Sequence, residues 1–586
     1  MTLLSSMDAA RHVVDALVRA EVAHVVVAPG SRSAPLAYAL AEAQADDRLK
    51  TYVRIDERVA GFTALGLALG AKAPVAVVTT SGTAVGNLLP AVMEANHSGT
   101  PIVVLCADRP EELRGTGANQ TTQQLDIFGD HVRFATDVPA GLDPSSAIST
   151  ALSAARGRLE GIPSGPVQVN LAFRDPLTPA LDGSEWERLL PVVKAGDGLG
   201  PEPRKAISSP VASSPVVSLP VTSLPVTSLP ATSHRTVVVA GHGAGAEAEY
   251  FARMLSLPLL AEPSSNARFG PNAVGPYRLL IEAFGPDSTH PIERVVLFGR
   301  PTLSRQINAL LARTDLERAL FIPKPVPWFE AGRRTELMLT QWDQLVGFAG
   351  QGPDGWLQVW QEAAALGEKQ LDALFNDAPP NAKELTGPAV ARAVWAKAQQ
   401  EPSSNLMLGS SNPVRDVDLA GKPTRVNNVT VFANRGLAGI DGTLATATGV
   451  ALATGRPTRV LLGDLTFLHD VGAMNTGPTE EIPHLQAIVL NDGGGGIFSV
   501  LEHGTLAHAP NYAAAVERFF GTPHTVELGV LAQAYGWAHT LVRTPAELGQ
   551  ALAAPVQGRS LIEVSASRAG LQEFHARIAA ALADSQ

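Results

Sequence analysis

Short apolar runs that stop at polar or glycine-rich turns recur along this chain, and helical spacing follows most of them. Residues 24–28 (HVVVA) stop at a turn containing Gly30, Ser31, Arg32 and Ser33, and a helix starts at Pro35. Residues 51–55 (TYVRI) stop at Asp56, Glu57 and Arg58, before a small-residue apolar helix over 59–70. Residues 74–80 stop at Ser81 and Gly82, before a helix over 87–96, and residues 101–107 stop at Asp108 and Arg109. A polar loop rich in amides, including Asn119 and Gln120, comes next, and 165–170 closes this first set behind an opening amphipathic helix over 7–19. Continuous apolar runs alternating with helices predict strands buried on both faces of parallel α/β sheets.

The pattern restarts twice. Residues 235–240 begin a second set, with further strands at 257–260, 294–298 and 318–322. Its first turn, GHGAG at 241–245, is glycine-rich but lacks the rest of a dinucleotide fingerprint. A helical connector over 356–375 breaks at 377–380. A third set follows, with helices over 387–399, 443–454 and 570–584 and strands at 406–409, 429–432, 459–462, 485–490 and 561–564. The chain therefore reads as α/β, with three doubly wound parallel-sheet domains at 1–180, 236–350 and 385–586, a linker at 181–235 and a connector at 351–384. The linker carries SLPVT-SLPVT-SLPAT, whose regular prolines forbid helix and favour an extended spacer.

The strongest chemistry lies at 461–498. One strand ends at Gly463 and Asp464, the next at Asn491 and Asp492 followed by Gly493 to Gly496, and a helix is expected between them over 469–475. Two parallel strands joined by a helix place both acidic turns at one carboxyl edge, where open α/β sheets bind ligands. Hard oxygen donors beside glycines suit Mg²⁺ holding a diphosphate, although an ordinary βαβ unit with a glycine-rich turn has the same outline. The turn at 30–33 offers free N–H groups and Arg32 to an anion, or is a plain strand–helix connection. Glu57, beside a nearly uncharged helix, is placed for desolvation and for relaying a proton to a heterocycle nitrogen, or for complementing a helix dipole. Arg300 and Arg305 are placed to meet a carboxylate or to form surface salt bridges.

Composition narrows the classes. The chain has 586 residues, 45% hydrophobic and 17% charged, which suits several well-cored domains. A net charge of −11 argues against a general nucleic-acid or anionic-membrane binder, leaving room for local arginine clusters. Cys106 is the single cysteine, so neither an intrachain disulfide nor a CxxC metal site is expected, in keeping with a cytoplasmic protein. No apolar run approaches the ~18 residues of a membrane span, and the N-terminus reads as a helix and not a signal peptide.

An acidic residue early in the first domain and GD…ND in the last resemble the thiamine-diphosphate enzymes of the pyruvate-decarboxylase and acetolactate-synthase type. GD…ND follows that family's GDG…NN motif, with Leu465 in place of the third-position Gly and Asp492 in place of the second Asn. The stretches PGSRSAPL, DERVAGFTALGLA, TTSGTAVGNLLPAVMEA, ADRPEELRGTGANQT, NRGLAGIDG and NDGGGGIFSVLE are similar to one branch of the family, the carboligases of menaquinone biosynthesis. The resemblance implies a pyrimidine-binding first domain, a central domain and a diphosphate-binding last domain. It implies that Glu57 is catalytic and faces the pyrimidine N1′ of thiamine diphosphate from a partner subunit. Ser81 and Gly82 would lie by the pyrimidine, and Ile440 would be the apolar wedge that holds the cofactor bent. Leu465, Asn491 and Ile497 would add cofactor contacts. Mg²⁺ (or Mn²⁺) would be held by the Asp464 and Asp492 side chains and the Gly494 carbonyl, with Asn491 as the neighbouring alternative to Asp492.

The reaction implied is decarboxylation of 2-oxoglutarate and 1,4 (Stetter-type) addition of the resulting carbanion to isochorismate. Arg32, Arg109, Arg305, Arg415 and Arg435 would meet the carboxylates of these substrates. Ser31, Asn119, Gln120 and Ser411 would orient them, and Ile497, Phe498 and Leu501 would form the apolar wall. Ser304 stands where relatives carry a Lys before the matching Arg. A site shared between the first domain of one chain and the third of another implies a homodimer, or a homotetramer built as a dimer of dimers. Two other readings compete: an acetolactate synthase or simple 2-oxo-acid decarboxylase, and an inactive cofactor-binding homologue. Intact Glu57, Asp464 and Asp492 argue against the second.

Overall fold

The computed structural model describes residues 3–180, 232–330, 332–376, 385–568 and 570–583. All but the end of the SLPVT repeat, and the break at 377–380, lie outside these residues. Three parallel sheets organise the rest.

The first contains β1 (His24–Val27), β2 (Lys50–Val53), β3 (Val75–Thr79), β4 (Ile102–Asp108), β5 (Ala135–Val138) and β6 (Val167–Ala172), in the order β2-β1-β3-β4-β6-β5. The second contains β7 (Thr236–Ala240), β8 (Leu259–Ala261), β9 (Arg294–Phe298), β10 (Glu317–Phe321) and β11 (Leu337–Leu339), in the order β11-β10-β9-β7-β8. The third contains β12 (Ser404–Leu408), β13 (Val429–Phe432), β14 (Thr458–Gly463), β15 (Leu485–Asn491), β16 (Ala538–Val542) and β17 (Arg559–Ser565), in the order β13-β12-β14-β15-β17-β16. The interior strands β3, β4, β6, β7 and β12 are buried along their whole length, as a sheet covered on both faces requires.

Three strands fall where the apolar pattern predicts none: β5, β11 and β16. Each lies at the edge of its sheet and is buried at only one residue, so each lacks a continuous apolar run. The helix expected over 469–475 is also displaced. A helix runs over Asp464–His469 and a 3-10 turn over Val471–Met474. Asp464 sits in the first turn, where its charge complements the helix dipole. Asp470 ends that helix and accepts from Ala445 N at 2.8 Å, helping to cap the Thr443–Thr454 helix. The apolar helix after β2 begins at Glu57 and not at 59, because the Asp56 side chain accepts from Arg58 N and caps it.

The helices Glu57–Ala71 and Thr443–Thr454 pack directly on each other. A Cβ on Gly66 would lie 2.0 Å from the Thr446 carbonyl, and one on Gly449 would lie 2.2 Å from the Thr63 carbonyl. The two backbones thus touch where only glycine fits, and one buried cluster runs through Phe62, Leu67, Leu444, Ala447, Leu462 and Phe467. The second and third sheets meet around the buried Arg268, which donates to the Gly421 carbonyl and lies 3.5 Å from Asp418. Among the described residues no helix is long and apolar enough to cross a membrane.

Candidate cofactor and substrate site

β14 and β15 pair in parallel with Gly463 opposite Leu490, so the two acidic turns leave the same edge side by side. Asp464 is buried. Its Oδ1 accepts from Leu465 N at 2.6 Å, and its Oδ2 accepts from Gly494 N at 2.9 Å and faces His524 Nε2 at 3.1 Å. Val526 N donates to His524 Nδ1 at 3.3 Å. With Nδ1 accepting from Val526 N, Nε2 is the ring nitrogen left to donate to Asp464.

Burial, and then the charge of Asp464, push the Asp492 carboxyl up to about 7. A carboxyl raised by a neighbouring carboxylate in one pocket fits a hard divalent cation, which would offset the charge of both. The glycines shape the cradle: a Cβ on Gly496 would lie 2.1 Å from Asp492 Oδ2, and one on Gly494 (φ +148°) would lie 2.1 Å from the Gly521 carbonyl. Asn491 is engaged within the sheet, where its Nδ2 donates to Glu563 Oε1 at 2.7 Å and its Oδ1 accepts from Gly493 N. Among the described residues no group of three or more His, Cys, Asp or Glu is arranged to hold a metal. The candidate set here is two carboxylates and a backbone oxygen.

Past the glycines, Ile497 and Phe498 lie in a 3-10 turn over Gly496–Val500, and Leu501 is the N-cap of the short helix Glu502–Leu506. Phe498 packs against Phe520 and His503 at ring distances of 5.4 and 5.7 Å. A cavity of about 480 Å³ opens beside it, lined by Asp492, Glu517, Gly521 and Arg568 among others. Arg568 Nε donates to the Asp492 carbonyl at 3.2 Å while its Nη2 meets Glu517 at 2.9 Å.

The remaining expected residues form two sets. At the first sheet's carboxyl edge, Arg109 Nη1 donates to Ser81 Oγ at 2.5 Å and to the Gln120 carbonyl at 2.7 Å, and Gln120 Nε2 donates to the Ser81 carbonyl. Gly82 N donates to Gln124 Oε1 at 2.7 Å. Arg32 donates to the Phe173 carbonyl, and its charge joins burial in lowering the Arg109 pKa. Ser31 and Asn119 are exposed beside this network.

The second set lies where the second and third sheets meet. Arg415 Nη1 donates to the carbonyl of Ser411, a residue held at φ +72°. Burial lowers the Arg415 pKa first, and Arg278 and Arg305 add to the effect. Arg435 is only 3% exposed and donates to Thr302 through Nε and Nη2; burial pushes it down to about 10. Arg305 forms an exposed ion pair with Glu502 at 2.9 Å. Ser304 caps the Arg305–Ala312 helix by accepting from Ile307 N. Among the described residues no hydrogen bond or ion pair joins the two sets.

Within one chain Glu57 is half-buried and its Oε2 accepts from Asn87 Nδ2 at 3.1 Å. The full desolvation expected of it is not supplied inside a single chain. Ile440 is half-buried in the loop before the Thr443–Thr454 helix. Three residues at or around the site escaped the sequence reading: His524, Arg568 and Glu94. Glu94 alone left a local signal, as the one charged residue in the apolar run NLLPAVMEAN.

Residues 7–129 match the family model for the thiamine pyrophosphate enzyme N-terminal TPP binding domain, and residues 421–564 match that for the C-terminal TPP binding domain. These matches bracket the two carboxyl edges just described and define a thiamine-pyrophosphate enzyme. The chain is 57% identical to the 2-succinyl-5-enolpyruvyl-6-hydroxy-3-cyclohexene-1-carboxylate synthase of Arthrobacter sp. (strain FB24), over 99% of this chain and 92% of that one. It is 56% identical to the synthase of the same name from Renibacterium salmoninarum, over 99% and 98% of the two chains. The chain belongs to the 2-succinyl-5-enolpyruvyl-6-hydroxy-3-cyclohexene-1-carboxylate synthase family, whose members are thiamine-pyrophosphate-dependent transferases. A solved structure of benzoylformate decarboxylase from Polynucleobacter necessarius shares the fold, with a TM-score of 0.64 at 17% identity over 97% of this chain and 99% of that one.

Proposed function

We propose that this chain decarboxylates 2-oxoglutarate and joins the remaining carbons to isochorismate by 1,4-addition, releasing CO₂ and forming the product for which its relatives are named, a step of menaquinone biosynthesis. The observation that carries this reading is the identity of 57% to a so-named synthase along 99% of the chain. The site geometry supports it with an acid pair, Asp464 buried and Asp492 half-buried, and with Arg568 on the Asp492 backbone. Thiamine diphosphate, when bound, supplies the nucleophilic carbon and the electron sink that decarboxylation needs.

The chain's own residues bind, orient and move protons. Asp464 and Asp492, with the Gly494 carbonyl, would hold Mg²⁺ (or Mn²⁺) and through it the diphosphate. Asp492, in preference to Asn491, would be the second ligand, because the Asn491 amide is engaged with Glu563 and Gly493 while Asp492 shares the field of Asp464. Leu465 and Ile497 would border this end, Ile440 would be the apolar wedge behind the cofactor, and Ser81 and Gly82 would lie by its pyrimidine. Glu57 would hold a proton at the pyrimidine N1′ of cofactor bound mainly by a partner subunit. The family resemblance implies a site completed across a homodimer or a dimer of dimers, and the half-buried Glu57 leaves its carboxyl open to such a partner. Both substrates are dicarboxylates. Arg32 and Arg109 from one subunit and Arg305, Arg415 and Arg435 from the other orient them by paired hydrogen bonds, with Ser31, Asn119, Gln120 and Ser411 as neutral partners. Phe498 and Leu501 exclude water.

The test is turnover. Purified protein with thiamine diphosphate and Mg²⁺ should consume isochorismate only when 2-oxoglutarate is present, with release of CO₂. Turnover of pyruvate, and none of that pair, would overturn the reading.

A further inference from the structure

We propose that Glu94 and Arg300 are positioning residues which grip, from opposite sides, the backbone of the loop carrying Arg435 and Ile440. The inference rests on the proposed place of Ile440 against the cofactor. The loop, residues 434–442, joins β13 to the Thr443–Thr454 helix. Glu94 reaches it from the first sheet's layer, on the Leu89–Ser98 helix. Its carboxylate is 5% exposed and accepts from Gly436 N at 2.6 Å and from Leu437 N at 2.7 Å, one oxygen to each. Arg300 reaches it from the second sheet, just past β9, and its Nη2 donates to the carbonyls of Arg435 and Gly436, the latter at 2.5 Å. An anion thus holds the N–H side of this turn while a cation holds its carbonyl side. Charge-assisted hydrogen bonds of this kind are roughly twice as strong as neutral ones.

Two further observations show that the grip sets a conformation and does more than fill space. A Cβ on Gly436 would lie 2.5 Å from the Glu94 carbonyl and 2.9 Å from its Oε1, so the turn and the carboxylate are fitted to each other. Ala438, between the gripped turn and Ile440, is held at φ +61°, a left-handed conformation that costs an L-residue energy. Such a residue persists only where its surroundings over-determine it. The loop's far end is also fixed, since a Cβ on Gly442 (φ +57°) would lie 1.9 Å from the Phe62 ring. Ile440 therefore projects from a short span whose two bases are both anchored to the first sheet's layer. The first and second sheets' layers both bear on the placement of a residue in the third.

The experiment titrates full-length protein with thiamine diphosphate in Mg²⁺ buffer by calorimetry, with thermal midpoints measured without cofactor. Glu94→Ala should weaken cofactor binding about tenfold, and Glu94→Gln should recover part of that, since one amide oxygen still accepts. Val92→Ala, a core truncation on the same helix, should lower the thermal midpoint and leave cofactor affinity within about twofold of wild type. Wild-type affinity in Glu94→Ala, or affinity that simply follows the thermal midpoint across all three variants, overturns the proposal. Where Glu94→Ala does not fold, Glu94→Gln and Arg300→Met decide: about threefold weakening in both supports the grip, and wild-type affinity in both overturns it. Wild-type protein that fails to bind thiamine diphosphate overturns the reading of the site and the grip with it, whereas wild-type binding with unaffected variants removes the grip alone.

Discussion

The first and third sheets have the same strand order, both running second, first, third, fourth, sixth, fifth, and in each the helix after the second strand is apolar and rich in small residues. Those two helices pack on each other, so the halves face one another like copies of one plan. Their carboxyl edges differ in kind. In the first, Ser81, Gly82, Arg109, Gln120 and Gln124 satisfy one another in a hydrogen-bonded network, and the like charge there is that of Arg32 on Arg109. In the third, Asp464 and Asp492 oppose each other, and Asp416 nearby is pushed up to about 7 by burial, with Asp492 contributing. One edge is finished in the free chain, and the other carries electrostatic tension that a cation would relieve. A shared topology places ligands, and the residues just past each strand decide which ligand and at what cost in stability.

The sharpest way to break this comparison is to disable one edge at a time. Glu57→Gln should lower kcat about 10²- to 10⁴-fold while cofactor binding persists, because a general acid–base group is lost and no binding group is. Asp464→Ala should lose cofactor binding in Mg²⁺ buffer. If the two edges meet across subunits, mixing the two inactive variants under exchange conditions should restore activity that neither shows alone. Activity that stays absent after verified subunit exchange would place both edges of one chain in one site.

The contact between the halves is the next lever. Gly66→Ala places a methyl group about where the Thr446 carbonyl lies and should cost about 1–3 kcal/mol of stability, read as a lower thermal midpoint. Gly455→Ala, at the exposed end of the facing helix, has space around it and tests only the strain of φ +62°, so it should cost less. Equal losses would mean that the helix contact is looser than the geometry requires.

Much of this architecture was legible in the apolar pattern, and the exceptions have a common cause. Interior strands such as β4 and β15 are buried nearly throughout and read as unbroken apolar runs, whereas the edge strands β5, β11 and β16 are covered at single residues and leave no such run. The site divides in the same way. Asp464 and Asp492 were legible because each stands at a turn that ends a strand. His524, Arg568 and Glu94 were not, because what makes them matter is a contact with Asp464, Asp492 or Gly436 that lies 60, 76 or 342 residues away in sequence. Apart from the lone charge of Glu94 in its apolar run, nothing local points to those contacts. The helix after Asp464 was displaced in the reading because the acidic turn and the helix start are the same residue.

A smaller effect comes from Asp470, which serves the third sheet's half by capping the helix that the first half packs against. Burial pushes this carboxyl up to about 7, above its unfolded value, while its hydrogen bonds from Ala445 and Leu444 oppose the shift. Its contribution to stability is therefore fully present below the unfolded carboxyl pKa near 4 and is lost as pH rises through about 7. The thermal midpoint of the metal-free protein should fall as pH rises from about 4 to about 7, and Asp470→Asn should reduce that fall by a few degrees. An unchanged pH profile in the variant would mean that Asp470 keeps its charge in the folded protein.

The smallest expected effect concerns the bridge from the second sheet to the third. Arg305 and Glu502 are 67% and 73% exposed in their side chains, so their ion pair is screened by water and should add little to stability. Arg305→Gln and Glu502→Gln should each leave the thermal midpoint where it is. Their effects on turnover should nevertheless have opposite signs. Removing Arg305 takes away a cation proposed to meet a substrate carboxylate and should raise a KM severalfold with kcat nearly kept, the pattern of lost uniform binding. Removing the Glu502 charge frees Arg305 from its partner and should lower the same KM. Two variants with the same KM shift would show that the pair acts as a strut between the sheets, and would leave the carboxylates to Arg32, Arg109, Arg415 and Arg435.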